Sequence, residues 1–169
     1  AKLFPYQRSQ STNIDYGCIN PATIASNEEM ICWVAINEKS GPTISFTRGE
    51  GIEHISTDGI DARLARLQLA EDCYGFMLRL QGHVMYVVTW PTDNVSYLYD
   101  FNTKKFFTLT DENMYAFIVN RVAFFNNRYY FVIPADYPTG LEFINPNNIE
   151  QRVDRNTQEI IGYRLTLTK

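Results

Sequence analysis

The sequence predicts an all-β fold of about three antiparallel, propeller-like blades in an incomplete ring, with one short helix inserted between the first two. Three observations predict it. Segments 30–57, 83–110 and 128–147 share one layout, an apolar strand, a turn and a second strand. Their turns, anchored on Gly41, Asn94 and Gly140, lie 53 and 46 residues apart, the size of a propeller blade. Aromatic residues make up 14% of the chain, with 11 Tyr and 11 Phe, and such side chains fit pleated, half-buried surfaces.

Residues 1–15 are polar and irregular and read as an arm or linker, with regular structure expected from about Thr23 and the blade region covering 16–169. The blades are placed at roughly 22–57, 73–110 and 121–147. Their innermost strands are expected at Ala22–Ala25, Tyr74–Leu80 and Val122–Phe125. Second strands follow at Ile31–Ile36, Val84–Trp90 and Tyr129–Ile133. Turns at Lys39–Gly41, Pro91–Asn94 and Asp136–Gly140 carry the Gly, Pro, Asn and Asp that tight reversals require. Third strands are expected at Thr43–Thr47, Val95–Tyr99 and Leu141–Ile144, and outer strands at Ile52–Ile55 and Phe106–Leu109. Apolar runs broken at this spacing argue for antiparallel sheet, and a barrel or sandwich of plain hairpins gives similar punctuation. Between the first two blades, Ile60, Leu64 and Leu67 fall on one face at helical spacing, with Arg63 and Arg66 opposite. They predict an amphipathic helix over 59–71, capped by Ser56, Thr57 or Asp58. Three blades do not close a ring, and the alternating end Tyr163–Lys169 has no turn signal after it. The chain is therefore expected to be a piece of a longer protein.

Net charge is −4 and the isoelectric point lies near 5.2. The basic footprint of a nucleic-acid-binding domain is absent overall, and Lys104-Lys105 reads as solvated surface charge. No apolar run is long enough to span a membrane as a helix. Cys18, Cys32 and Cys73 are odd in number and widely spaced, which fits free buried thiols made in a reducing cytoplasm.

Few constellations carry chemistry. His54 and His83 lack a second histidine at metal-ligand spacing. Asp93, Asp100, Asp111 and Asp136 are the residue type that converges in propeller glycosidases, but most sit where Asp serves turns. Cys73 follows Glu71-Asp72, an acidic setting that disfavours a thiolate nucleophile. Tyr86, Trp90, Tyr97, Tyr99 and Phe101 are dense in the second blade, as core or as an exposed sugar or protein contact. No catalytic, cofactor-binding or metal-binding residue is assigned, no cofactor is expected, and the chain is read as a non-enzyme.

Several stretches resemble phage tail hub proteins, the P22-like packaged-DNA stabilisation family. They are Tyr16-Gly17-Cys18 with Pro21 and the strand of Trp33, Glu53–Thr57 followed by Ile60, residues 81–106, and Arg152-Val153-Asp154 through Ile161. The strongest is QGHVMYVVTWPTDNVSYLYDFNTKKF, with its Gln-Gly-His, aromatic-Pro-Thr turn and Tyr-Asp strand end. The resemblance implies a structural protein of the virion tail, made in the bacterial cytoplasm. It implies a hub below the portal that retains packaged DNA and anchors other tail proteins. Implied partners are the portal ring, other tail proteins and further copies of the chain, with no specific nucleic-acid binding and no membrane. The alternative is a carbohydrate-binding or sialidase-like propeller module that contacts a host receptor.

Overall fold

The computed structural model describes residues 16–36, 41–49, 51–111, 113–132, 141–153 and 160–168, with backbone alone from 141 onward. The expected arm 1–15, the turn residues Lys39, Ser40 and Asp136–Gly140, and the positions Ile133, Asp154 and Lys169 lie outside them.

Among the described residues, thirteen strands form three antiparallel sheets in chain order. The first holds β1 (Gly17–Cys18), β2 (Ala25–Ser26), β3 (Ile31–Ile36), β4 (Thr43–Thr47) and β5 (Ile52–His54). The second is the meander β6 (Tyr74–Leu80), β7 (His83–Trp90), β8 (Val95–Asp100) and β9 (Lys105–Thr108). The third is the meander β10 (Arg121–Phe125), β11 (Arg128–Val132), β12 (Leu141–Val153) and β13 (Ile160–Thr168). A helix, α1 (Asp58–Leu64), joins the first sheet to the second.

The innermost strand of the first sheet differs from the expected Ala22–Ala25. Two short strands share one edge of β3, with Cys18 opposite Ala35 and Ala25 opposite Cys32. Between them Pro21–Thr23 form a 3-10 turn. Asn20 dictates it, because its Oδ1 accepts the amide of Ala22 while Pro21, with φ preset and no amide to satisfy, starts the turn. Among the described residues, regular structure is thus already present at Gly17, before the expected Thr23.

The helix is also shorter than the expected 59–71. Thr57 caps it, with its Oγ1 accepting the amide of Ile60, and Ile60 and Leu64 are buried. Past Leu64 the turn tightens, the amides of Arg66 and Leu67 bonding the carbonyls of Arg63 and Leu64 three residues back. The carboxylate of Asp93 accepts from Gln68 at 2.9 Å and Leu69 at 3.2 Å, which draws the chain off the helix axis. A separate 3-10 turn, Ala70–Asp72, then leads into β6.

In the third sheet the strand expected at Leu141–Ile144 runs on to Val153, beyond the boundary expected at 147. Register with β13 shifts between Ile144 and Ile149, around Pro146, which has no amide to donate to the ladder. Arg152 and Val153, expected in a polar link, pair with Gly162 and Ile160.

The alternation of side chains along the second sheet decides the packing. Phe76, Leu78, Met85, Val87 and Leu98 meet Tyr129 and Phe131 of the third sheet, together with Phe117 and Val119 of the connecting segment. Tyr86, Val88, Trp90 and Tyr97 face the other way. They meet Cys32, Val34, Ile44 and Phe46 of the first sheet and Ile60 and Leu64 of α1. The middle sheet is therefore apolar on both faces, and β6 touches the inner elements of both neighbours. Stacked four-stranded meanders with neighbouring inner strands have the geometry of successive propeller blades.

Two kinds of rim result. Short hairpins lie at one end, including the two-residue turns Gln81-Gly82 and Asn126-Asn127, whose positive φ values suit the twist of their strands. The inter-sheet connectors and the Pro91–Asn94 turn lie at the other end.

Candidate interaction surface

The residues with potential chemistry are held in structural roles. His54 is exposed, packs edge-on against Tyr16 with ring centroids 4.5 Å apart, and pairs through Nδ1 with Ser45 Oγ at 2.8 Å. That serine is fully buried, so its hydroxyl has no path to a substrate. His83 Nδ1 lies 2.9 Å from Oδ2 of Asp100, which is wholly buried. Asp100 also accepts the amide of Asn102 at 2.9 Å and the hydroxyl of Thr103 at 2.8 Å, closing the β8–β9 turn. Among the described residues no cluster of His, Cys, Asp or Glu has the make-up of a metal site.

The carboxylates do not converge. Asp100 sits at the hairpin rim, whereas Asp93 and Asp111 sit at the connector rim. Asp111 accepts the amides of Asn113 and Tyr115, each at 2.8 Å, and so builds its own turn. Asp136 is outside the described residues. Tyr86, Trp90, Tyr97 and Tyr99 are buried, and Phe101 is half-buried against Phe46 and Tyr99, so the dense aromatics of the second sheet belong to its core.

Burial pushes the Cys32 thiol up to about 12. Cys73 also rises to about 12, again through burial first, with the charge of Asp72 a smaller contribution in the same direction. Both thiols stay protonated and inert at neutral pH. Cys18 is half-buried, and its thiol points to the carbonyl of Asn20 at 3.1 Å.

An open depression of about 510 Å³ lies beside the first sheet. Tyr16, Thr43, His54, Ser56, Asp58 and Asp61 line it. Its polar groups largely bond one another: Thr43 and Ser56 pair at 2.7 Å, and Ser56 Oγ accepts the Ile44 amide at 3.0 Å.

The more telling surface is apolar, and sequence reasoning missed it. Phe124 and Phe125 at the end of β10 are 59% and 72% exposed. Met114 and Tyr115 in the connector to β10 are 75% and 59% exposed, and Leu69 is 46% exposed. Isolated exposed apolar residues are ordinary, but aromatics and Met clustered on ordered backbone mark contact surfaces. The backbone under them is fixed. The neighbouring turn residues Asp93 and Asn94 hold Leu69 and Ala116 by side-chain bonds to their amides. Among the described residues no helix is long and apolar enough to cross a membrane.

No curated protein matches the chain. A family of phage stabilisation proteins, described as "Bacteriophage P22 Gp10, beta-propeller", matches residues 1–120. The match covers the first two sheets, the helix and the connector that ends at Asn120. Serial antiparallel sheets packed face to face, inert thiols and exposed aromatic contacts agree with it, and the chain belongs to this bacteriophage structural family.

Proposed function

We propose that the chain is a hub component of a bacteriophage tail, seated below the portal, that helps retain packaged DNA and anchors other tail proteins. Residues 16–169 act in this reading as one propeller-like unit, and the role is steric and interfacial, with no turnover. The observation that carries it is the family match over residues 1–120, joined to a surface whose salient features are exposed aromatics on fixed backbone. Partners are the portal ring, adjacent tail proteins and further copies of the chain, and the site of action is the virion tail. An overall charge of −4 suits a wall past which DNA slides without being gripped.

The glycan-binding alternative needs exposed aromatics and carboxylates gathered at one end, whereas the described aspartates divide between both rims. Omitting the protein during phage assembly tests the proposal. The expected result is particles that package DNA and then lose it, with later tail proteins missing. Complete, DNA-retaining tails without the protein would overturn it.

A further inference from the structure

The two seams of the stack use one device. At the first, Tyr86 of β7 reaches past β6 and donates to the carbonyl of Thr23 in the sheet before. At the second, Tyr129 of β11 reaches past β10 and bonds both the amide and the carbonyl of Arg79 in β6. Arg79 is available because of its place in the ladder. It lies two residues ahead of the Gln81-Gly82 turn, and its register partner is Val84. Leu80 and His83 close that hairpin as a hydrogen-bonded pair, so the Arg79–Val84 pair is of the other kind, with the Arg79 amide and carbonyl directed away from β7. Phe124 has the same place in the third sheet, two residues ahead of the Asn126-Asn127 turn and opposite Tyr129. Its amide and carbonyl are therefore directed away from β11, along the edge of β10 with which no described strand pairs.

The third sheet also keeps one apolar face open. Val122, Tyr129 and Phe131 face the second sheet. Alternation puts Ala123 and Phe125 of β10, with Tyr130 and Val132 of β11, on the opposite face. There Phe125 is 72% exposed and Val132 44%, Ala123 is exposed and Tyr130 is half-buried. The register continues into β12, where Leu141 and Phe143 are the partners of Val132 and Tyr130. The second sheet, apolar on both faces, is covered by a neighbouring sheet on each. The third therefore presents both halves of a further seam: an apolar sheet face, and an inner-strand amide and carbonyl two residues before a tight hairpin.

From this repetition we propose that the open face of the third sheet is a docking site for an antiparallel sheet of another tail protein, one whose second strand carries a tyrosine that bonds the Phe124 backbone. The inference rests on the reading that the chain anchors other tail proteins, and it names the surface and the chemistry of the partner. The first sheet of a second copy does not supply that group, because β3 reads Ile-Cys-Trp-Val-Ala-Ile and has no phenolic hydroxyl. Apolar side chains supply the burial. The tyrosine sets the register, since a slip of one residue would aim it at an amide and carbonyl already paired with β11.

Photo-crosslinking of the full chain in assembled tails tests it. Photoreactive benzoylphenylalanine replaces Phe125 or Val132, with Met114 as the control position; all three side chains are exposed, so the fold should be kept. Illumination is expected to join positions 125 and 132 to one strand of another tail protein, and position 114 not to join that strand. With that protein purified, the Phe124 amide should exchange with deuterium more slowly in the complex than in the free chain. Replacing the docked sheet's tyrosine by Phe should weaken binding about fivefold or more. Joining to a second copy of the chain, no joining at either position, or a tyrosine whose loss changes nothing would each overturn the inference. If the chain stands firmly in tails with positions 125 and 132 unjoined, the functional reading stands and this inference alone falls. A chain absent from tails would overturn both.

Discussion

The hydroxyl of Tyr86, on the second strand of the middle sheet, donates a 2.8 Å hydrogen bond to the backbone carbonyl of Thr23 in the first sheet's inner segment. The bond is buried, and Thr23 is itself tied by its own hydroxyl, which donates to Asn20 O at 2.7 Å and accepts the Val34 amide at 3.2 Å. The next seam repeats the device. Tyr129, on the second strand of the third sheet, accepts the amide of Arg79 at 3.1 Å and donates to the carbonyl of the same residue. The second and third sheets thus each reach past their own inner strand and bond the backbone of the inner segment of the sheet before.

Tyr86→Phe leaves the Thr23 carbonyl buried without this donor. Losing one partner of a buried hydrogen bond costs about 1–3 kcal/mol, so a thermal melt should show a clearly lower Tm. Tyr129→Phe should act in the same direction at the second seam. An unchanged Tm in both would mean that these tyrosines do not pin the sheets together.

Gly75 explains how Tyr86 crosses β6. A methyl group at Gly75 would lie 2.8 Å from the Tyr86 hydroxyl and 2.9 Å from the Val87 carbonyl oxygen. Gly75→Ala must therefore displace the ring or the neighbouring strand, and overpacking of this kind costs about 1–3 kcal/mol. In the double variant Gly75→Ala/Tyr86→Phe the two losses should be less than additive, since both act on one contact. Chemical denaturation of the four proteins measures this.

The architecture was largely legible in the sequence, and the reasons are local. Residues 74–100 are short, near-continuous apolar runs punctuated by Gln81-Gly82 and Pro91–Asn94, so the strands from Tyr74 to Asp100 are fixed by short-range chemistry. Departures occur where a distant side chain decides. After the tightened turn that closes the helix, Asp93 takes the amides of Gln68 and Leu69 and keeps the helix from running on to 71, a tertiary effect that periodicity cannot contain. Asn20-Pro21 splits the innermost strand through a cap that needed the Asn20 side chain to be read as an acceptor. The exposed surface escaped because Phe124, Phe125 and Tyr115 look like core residues in a sequence, and which of them a neighbouring sheet covers is settled only by packing.

The buried thiols predict a pH dependence. Cys32 and Cys73 have an ordinary value of 9.0 and rise to about 12 in the fold. The unfolded chain therefore loses these protons near pH 9 while the native state keeps them. The stability they contribute is complete below pH 9 and is lost as pH rises toward 12. Urea midpoints measured from pH 8 to pH 11 should fall steadily, and substituting Cys32 and Cys73 with Ala should flatten that fall. At pH 8 without denaturant, alkylation should spare both and reach only Cys18.

Asp100 gathers the β8–β9 turn by accepting from Asn102, Thr103 and His83. Asp100→Ala leaves those donors unanswered and should destabilise by about 1–3 kcal/mol. His83→Ala should cost less, because the imidazole is partly exposed and the carboxylate keeps its turn partners. The ranking of the two by thermal melt checks the assignment of Asp100 as the centre of the turn.

The central claim is that this propeller-like chain acts as a structural part of the phage tail through its surfaces. Co-sedimentation of the protein with purified portal rings and adjacent tail proteins tests it most directly. The expected result is a stable complex that is lost when the exposed Phe124 and Phe125 and Met114 and Tyr115 are replaced together by charged residues. Protein that stays free of portal and tail components at every ratio would contradict it.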